Sequence, residues 1–215
     1  MATLTLRPVS DESLNHSCNS GSDGYLLINE SSADDDSTYI YQTISSTSNN
    51  SVTSSFVLGG EMPSGSFKIT GANLYVRGKS SANYTYSGSY KLSIDSSSLS
   101  MSLSTSYQTS NSTNVATSLI NNIYTSTSFP SLSVIITTAG NKSQSKNSNF
   151  QIRITQVYLE LEYEEIADEQ SAHYIKIDGA WKKVITVYKK IDGSWVEYNY
   201  SFTDDGKLIF KGRIT

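Results

Sequence analysis

Phe150-Gln151-Ile152-Arg153-Ile154-Thr155-Gln156-Val157-Tyr158-Leu159-Glu160-Leu161-Glu162-Tyr163 decides the fold class of this chain. In its latter half Val157, Leu159, Leu161 and Tyr163 alternate with Tyr158, Glu160 and Glu162. That period of two belongs to a β-strand with one face buried and one face wet. The phase slips between Ile154 and Val157. One extra residue there keeps both halves facing the same way, so the pattern predicts a bulge near Thr155-Gln156.

The rest of the first 166 residues reads as a run of strands. Residues 3–7 alternate from the start. Thr38-Tyr39-Ile40-Tyr41-Gln42-Thr43-Ile44 is a strand by residue type, and residues 131–138 form a buried strand around Val134-Ile135-Ile136. Tyr25-Leu26-Leu27-Ile28 follows an Asp23-Gly24 turn as another member of the run. Residues 67–77 are two short strands, or one strand broken at Gly71. Only residues 113–124 offer a helix. Val115, Leu119, Ile120 and Ile123 fall there at helical spacing with Thr113 as N-cap, although a loop fits equally well.

Composition agrees with this pattern. Roughly a quarter of the 215 residues are Ser or Thr, which taken alone fits a disordered or mucin-like stalk. Fifteen tyrosines and only three prolines argue against a stalk. Thr and Tyr are strand formers, and Ser tolerates the solvent face of a sheet. The expected fold is therefore all-β: a jelly-roll-like β-sandwich over residues 1–166, with hydroxyl-coated outer faces. A net charge of −4 gives no support to a nucleic-acid partner. No run is long and apolar enough to span a membrane. The single Cys18 cannot close an internal disulfide. The first residues lack the layout of a signal peptide, so synthesis in a cytoplasm is expected.

A second region begins where the serines thin out, with only Ser171, Ser194 and Ser201 beyond residue 167. After an acidic linker at residues 167–172, residues 173–215 carry half of the chain's sixteen Lys and Arg residues. Here Tyr174-Ile175-Lys176-Ile177-Asp178-Gly179-Ala180-Trp181-Lys182-Lys183-Val184 is echoed fourteen residues later by Tyr188-Lys189-Lys190-Ile191-Asp192-Gly193-Ser194-Trp195-Val196-Glu197-Tyr198. Asp-Gly between alternating runs is a strong hairpin signal. A degenerate third copy follows around Asp205-Gly206. The expected module is a tandem of β-hairpins whose small core rests on Trp181, Trp195, Tyr174, Tyr188 and Phe210. It is also an attachment surface centred on Trp181 and Trp195, because so little chain buries little apolar area by itself.

Chemistry is sparse. His16 and His173 are the two histidines, and no spacing of nucleophile, base and acid stands out among so many serines and aspartates. No zinc spacing and no phosphate loop occurs, so an enzyme is not expected, and Cys18 reads as a small core residue. Asp34, Asp35 and Asp36 are the sharpest acidic cluster. With Glu30 or a carbonyl they offer oxygen ligands to calcium, and otherwise they are a solvated turn before a strand. No other cofactor is expected. Tyr39, Tyr41, Tyr84, Tyr86 and Tyr90 sit where alternate residues point outward, a surface suited to sugars or to protein partners and also to plain cross-strand packing.

Val187-Tyr188-Lys189-Lys190-Ile191-Asp192-Gly193-Ser194-Trp195 resembles a module of virion structural proteins, tail and others, in bacteriophages of Gram-positive bacteria, where the wording often recurs in tandem. The stretches Gly24-Tyr25-Leu26-Leu27-Ile28-Asn29-Glu30, residues 34–39 and residues 69–76 are also similar to virion domains of that group. The resemblance implies a non-enzymatic virion component: a tail, neck or capsid-decoration protein, oligomeric or part of a larger assembly, with other virion proteins as partners. The alternative expectation is a carbohydrate-binding module that recognises host surface glycans through Tyr39 and Tyr41.

Overall fold

The structure is a computed structural model that describes residues 1–82, 85–142, 148–166, 174–177, 180–183, 187–191, 193–202 and 208–213. The chain divides into two units, Met1–Ala167 and Asp168–Thr215. The linker, Tyr84, His173 and the turns at Asp178-Gly179 and Asp205-Gly206 lie outside the described residues.

The first unit is all-β. Its strands are β1 (Ala2–Ser13), β2 (Ser17–Cys18), β3 (Ile40–Ile44), β4 (Asn50–Gly59), β5 (Ser66–Ser80), β6 (Thr85–Leu92), β7 (Leu99–Ser100), β8 (Gln108–Ser112), β9 (Ile123–Tyr124), β10 (Leu132–Asn141) and β11 (Phe150–Ile166). Every pairing between them is antiparallel. One sheet runs β1-β4-β10-β6-β7. The other is built on the long β5–β11 pair, from Ile152 opposite Ser80 to Ile166 opposite Ser66. β3 and the first half of β1 lie end to end along the free edge of β11, and β8 and β9 do the same along β5. β1 belongs to both sheets, changing from one to the other between Leu6 and Arg7. The connections β4 to β5, β5 to β6 and β10 to β11 each pass from one sheet to the other, as in a jelly-roll-like sandwich.

Alternation produces the core. Leu4 and Leu6, Phe56 and Leu58, Leu74 and Val76, Val134 and Ile136, and Leu159 and Leu161 all face inward and are buried. They form one continuous cluster between the sheets, the usual source of stability in a sandwich. The bulge in β11 falls where the pattern puts it, with a register shift between Ile154 and Gln156. β5 is one strand rather than one broken at Gly71, which sits opposite Glu162 beside a second register shift whose extra residue is Thr70 of β5.

Three further expectations change. Gly24–Leu27 is a 3-10 turn, not a strand, and its first two amides are held by the Asp11 carboxylate at 2.9 and 2.7 Å. Residues 113–124 form no helix. Asn114, Ala116 and Asn121 adopt positive φ, which an α-helix does not allow. The amides of Val115 and Asn121 bond instead to the carbonyls of Ala72 and Ile69 on β5. Val115 and Leu119 are buried as their apolar character requires, but in a loop that covers the gap between β8 and β9. Third, Tyr90 is not a surface residue. It is 1% exposed, with its hydroxyl 3.1 Å from Ser112 Oγ.

The second unit contains β12 (Tyr174–Ile177), β13 (Ala180–Lys183), β14 (Val187–Ile191), β15 (Ser194–Phe202) and β16 (Leu208–Arg213). β12 and β13 make one hairpin, and β14, β15 and β16 a three-stranded meander. The two repeat copies have the same register: Lys176 opposes Trp181 and Ile177 opposes Ala180, as Lys190 opposes Trp195 and Ile191 opposes Ser194. Gly193 has φ +86, the conformation for which glycine is placed in such turns.

Candidate functional site

Three places on the described residues gather polar chemistry: the outer face of the β5–β11 sheet, the interior around His16, and the β14–β15 hairpin.

On the outer face, the bulge of β11 docks the loop of residues 28–39. Val157 donates its amide to the Ile28 carbonyl at 2.8 Å. Gln156 Nε2 donates to the Glu30 carbonyl and Thr155 Oγ1 to the Thr38 carbonyl, each at 2.9 Å. These bulge side chains are buried, and their bonds remove the cost of burying them. The loop thereby fills the stretch of β11 edge left between β3 and β1. Within it Thr38 Oγ1 donates to the Glu30 carboxylate, and Asp34 accepts from the Thr38 amide at 3.1 Å.

The loop delivers Asp35 and Asp36 to cations on the sheet. Arg77 grips Asp35 with two bonds, 2.7 and 2.9 Å. Asp36 takes Lys79 Nζ and Arg153 Nη1 at 2.7 Å each, and the Tyr107 hydroxyl donates to it at 3.1 Å. Lys79 lies over the Tyr107 ring at 4.4 Å and Arg153 over the Tyr39 ring at 4.5 Å. The hydrogen bond from Lys79, followed by those from Tyr107 and Arg153, holds the Asp36 carboxyl below its ordinary range. Burial and then the Asp36 charge push the Tyr107 phenol up, so it remains a donor. The three carboxylates thus take separate partners: Asp34 the backbone of its own loop, Asp35 one arginine, Asp36 a lysine and an arginine. Among the described residues no three His, Cys, Asp or Glu side chains are grouped to hold a metal ion.

Tyr39 and Tyr41 are half-buried and meet edge to face at 5.9 Å. Farther along the same sheet Tyr75 and Tyr158 stack at 4.5 Å, with Arg7 over Tyr158 at 4.9 Å. Arg77, Lys79, Arg153 and Tyr107 are the residues missed by sequence reasoning. Their signal was present: Arg77, Lys79 and Arg153 all occupy outward positions of strands whose alternate residues are apolar.

His16 is 4% exposed and lies between the two sheets. Ser54 Oγ accepts the amides of Asn15 and His16 at 2.9 and 3.0 Å, so its own proton goes to His16 Nδ1 at 2.8 Å. Thr138 Oγ1 donates to Gln42 Oε1 at 2.7 Å, so it accepts from His16 Nε2–H, also at 2.8 Å. This chain of bonds fixes one neutral tautomer. Burial lowers the imidazole pKa to about 4. Cys18 is partly buried against the core, and burial together with Asp11 and Asp23 pushes its thiol up, away from nucleophilic use.

In the hairpin unit Trp195 is 69% and Tyr188 51% exposed. They do not form the core expected of them. Lys190 lies 6.0 Å from the Trp195 ring. The side chains of Tyr174, Trp181 and Phe210 lie outside the described residues.

No protein-family model matches this chain, and no curated protein matches it. Among solved structures it is similar to that of TmCBM61 in complex with beta-1,4-galactotriose, at 10% identity and a TM-score of 0.35, over 57% of this chain and 69% of that one.

Proposed function

We propose that this chain is a non-enzymatic structural protein of a bacteriophage particle, an accessory or appendage component anchored through its hairpin unit and partnered by other virion proteins. The observation that carries the reading is the exposed Trp195 and Tyr188 in a register that the first hairpin repeats. Large exposed aromatic residues mark interaction surfaces. A hairpin also ends in strand edges that a neighbouring chain can extend. Mass spectrometry of purified particles tests the proposal, with the double variant Trp181→Ala, Trp195→Ala in the encoding phage. The protein is expected in particles and the variant is expected to be lost from them. Absence of the wild-type protein from particles refutes the reading.

A second reading, recognition of a host surface glycan by the sandwich, is favoured by the half-buried Tyr39–Tyr41 pair beside Arg153. Rings with a polar rim offer contact area at low entropy cost. The intact protein on an array of bacterial surface glycans tests it, and no binding to any of them removes it.

A further inference from the structure

We propose that a cleft at the end of β6, whose lining includes neither Tyr39 nor Tyr41, binds a neutral polyhydroxylated ligand, a sugar unit; this rests on the glycan-recognition reading and gives it a different site. The cleft has a volume of about 300 Å³ and lies between the loop after β6 and the turn after β8. Its polar lining is Asp95, Ser96, Ser97, Thr113, Asn114 and Thr117. Leu99 and Val115 supply apolar surface. That volume is at the small end of the range for small-molecule sites, about 300–1,000 Å³, which suits one or two sugar rings better than a peptide.

Two features distinguish the cleft from the serine-rich turns at residues 104–106 and 125–128. The first is unused hydrogen-bonding capacity. In the turn of residues 125–128 the hydroxyls of Thr125, Thr127 and Ser128 bond to one another, and Ser104 and Ser106 bond across their own turn. Among the side-chain oxygens of the cleft only Asp95 Oδ2 is engaged, by the Ala116 amide at 3.0 Å. The second is backbone conformation. Asn114 and Ala116 have φ +54 and +53. An alanine there is costly and must be held in place. Asp95 holds the Ala116 amide, and the Ala72 carbonyl holds the Val115 amide at 3.0 Å. The carboxylate therefore supports the strained turn with one oxygen and presents the other to the cleft.

The lining selects the ligand class. It contains no Lys or Arg, so an anion has no counter-charge. It contains no aromatic ring, so a base or aromatic ligand has nothing to stack on. A carboxylate oxygen, an amide and four hydroxyls over a small apolar surface match the alternating O–H and C–H faces of a sugar, whose hydroxyls donate to the charged oxygen with the strength of charge-assisted bonds.

The test uses the full chain, ¹⁵N-labelled, titrated to millimolar concentration with maltotriose, cellotriose, lactose, di-N-acetylchitobiose and sialyllactose. Shift changes at residues 95–99 and 113–117 with a neutral sugar are expected. Asp95→Asn keeps an acceptor for the Ala116 amide and should weaken binding about tenfold or more. Thr113→Val and Thr117→Val should each weaken it less, while Tyr39→Ala and Tyr41→Ala should leave it unchanged. Binding that moves only resonances around Tyr39 and Tyr41, or that survives Asp95→Asn, overturns the cleft and leaves the glycan reading intact. Binding of none of the sugars overturns the cleft, and a silent glycan array in addition removes the reading itself. Binding confined to sialyllactose overturns the assignment of a neutral ligand.

Discussion

Acid should loosen the sandwich through one residue, His16. Its imidazole is held neutral, with Ser54 Oγ donating to one nitrogen and Thr138 Oγ1 accepting from the other. Adding a proton at Nδ1 turns an acceptor into a donor aimed at an oxygen that already accepts two amides, in a site with no carboxylate bonded to the ring. Burial of the ring lowers its pKa from 6.5 to about 4. In the unfolded chain the ring takes up its proton near pH 6.5; in the folded protein it does so only near pH 4. Stability from this group is therefore complete above about pH 6.5 and declines as pH falls, because the unfolded state binds the additional proton. The decline is complete below about pH 4 and amounts to about 3 kcal/mol, from about 1.4 kcal/mol for each unit of pKa difference. Urea unfolding followed by far-UV circular dichroism at pH 7, 5.5 and 4 measures it, with His16→Gln as the non-titrating reference. Gln offers an acceptor toward Ser54 and a donor toward Thr138. The wild type should lose about 3 kcal/mol more than His16→Gln between pH 7 and 4. A difference under about 1 kcal/mol refutes the argument, because carboxylates that titrate in the same range act on both proteins alike.

Other consequences can be checked by the same unfolding measurement at neutral pH. Phe67→Ala should cost about 3–5 kcal/mol, since Phe67 is fully buried among Tyr124, Phe129 and Tyr163. Thr155→Val should cost about 1–3 kcal/mol by leaving the Thr38 carbonyl without its donor. Asp36→Asn should cost under about 1 kcal/mol, an effect that 1 M salt largely removes, because its side chain is 62% exposed although it bonds three groups. Gly78→Ala should be more damaging than an ordinary strand glycine substitution, because the new Cβ would lie 2.7 Å from the Arg153 carbonyl oxygen, a backbone atom that cannot swing away.

How much of this was legible in the sequence depends on what each signal encodes. Alternation encodes which face of a strand is buried, and it was right for the latter half of β11 and the first half of β1 because both pack one face on the shared core. Apolar spacing without a backbone signal is weaker. Val115 and Leu119 are buried and Ile120 partly so, while Ile123 is exposed; a loop tied to the edge of β5 buries residues at that spacing as well as a helix does. Tyr90 shows the same limit from the other side. Tyrosine is amphipathic, so its identity does not say whether the ring faces the core, and only the register of β6 against β10 does. The pairing of Asp35 with Arg77 and of Asp36 with Lys79 and Arg153 spans 42 to 117 positions. No local pattern encodes contacts of that length.

The bulge at Thr155-Gln156 links these cases. From sequence it is a slip in phase; in the structure it is where the edge of β11 passes from β3 to β1. A regular strand there would leave main-chain groups unpaired between the two partners. The bulge instead turns Thr155 and Gln156 inward to take the carbonyls of Thr38 and Glu30, and frees the Val157 amide for Ile28. The loop of residues 28–39 is thereby fixed along the gap, and its acidic tip comes to rest on Arg77, Lys79 and Arg153. The 113–122 loop repeats the solution on β5, lying between β8 and β9 and bonded at Ala72 and Ile69. Each outer edge of the β5–β11 pair is therefore completed by two strand segments with a loop between them. The second of these loops carries the strained turn and forms one wall of the cleft, whose other wall is the loop after β6.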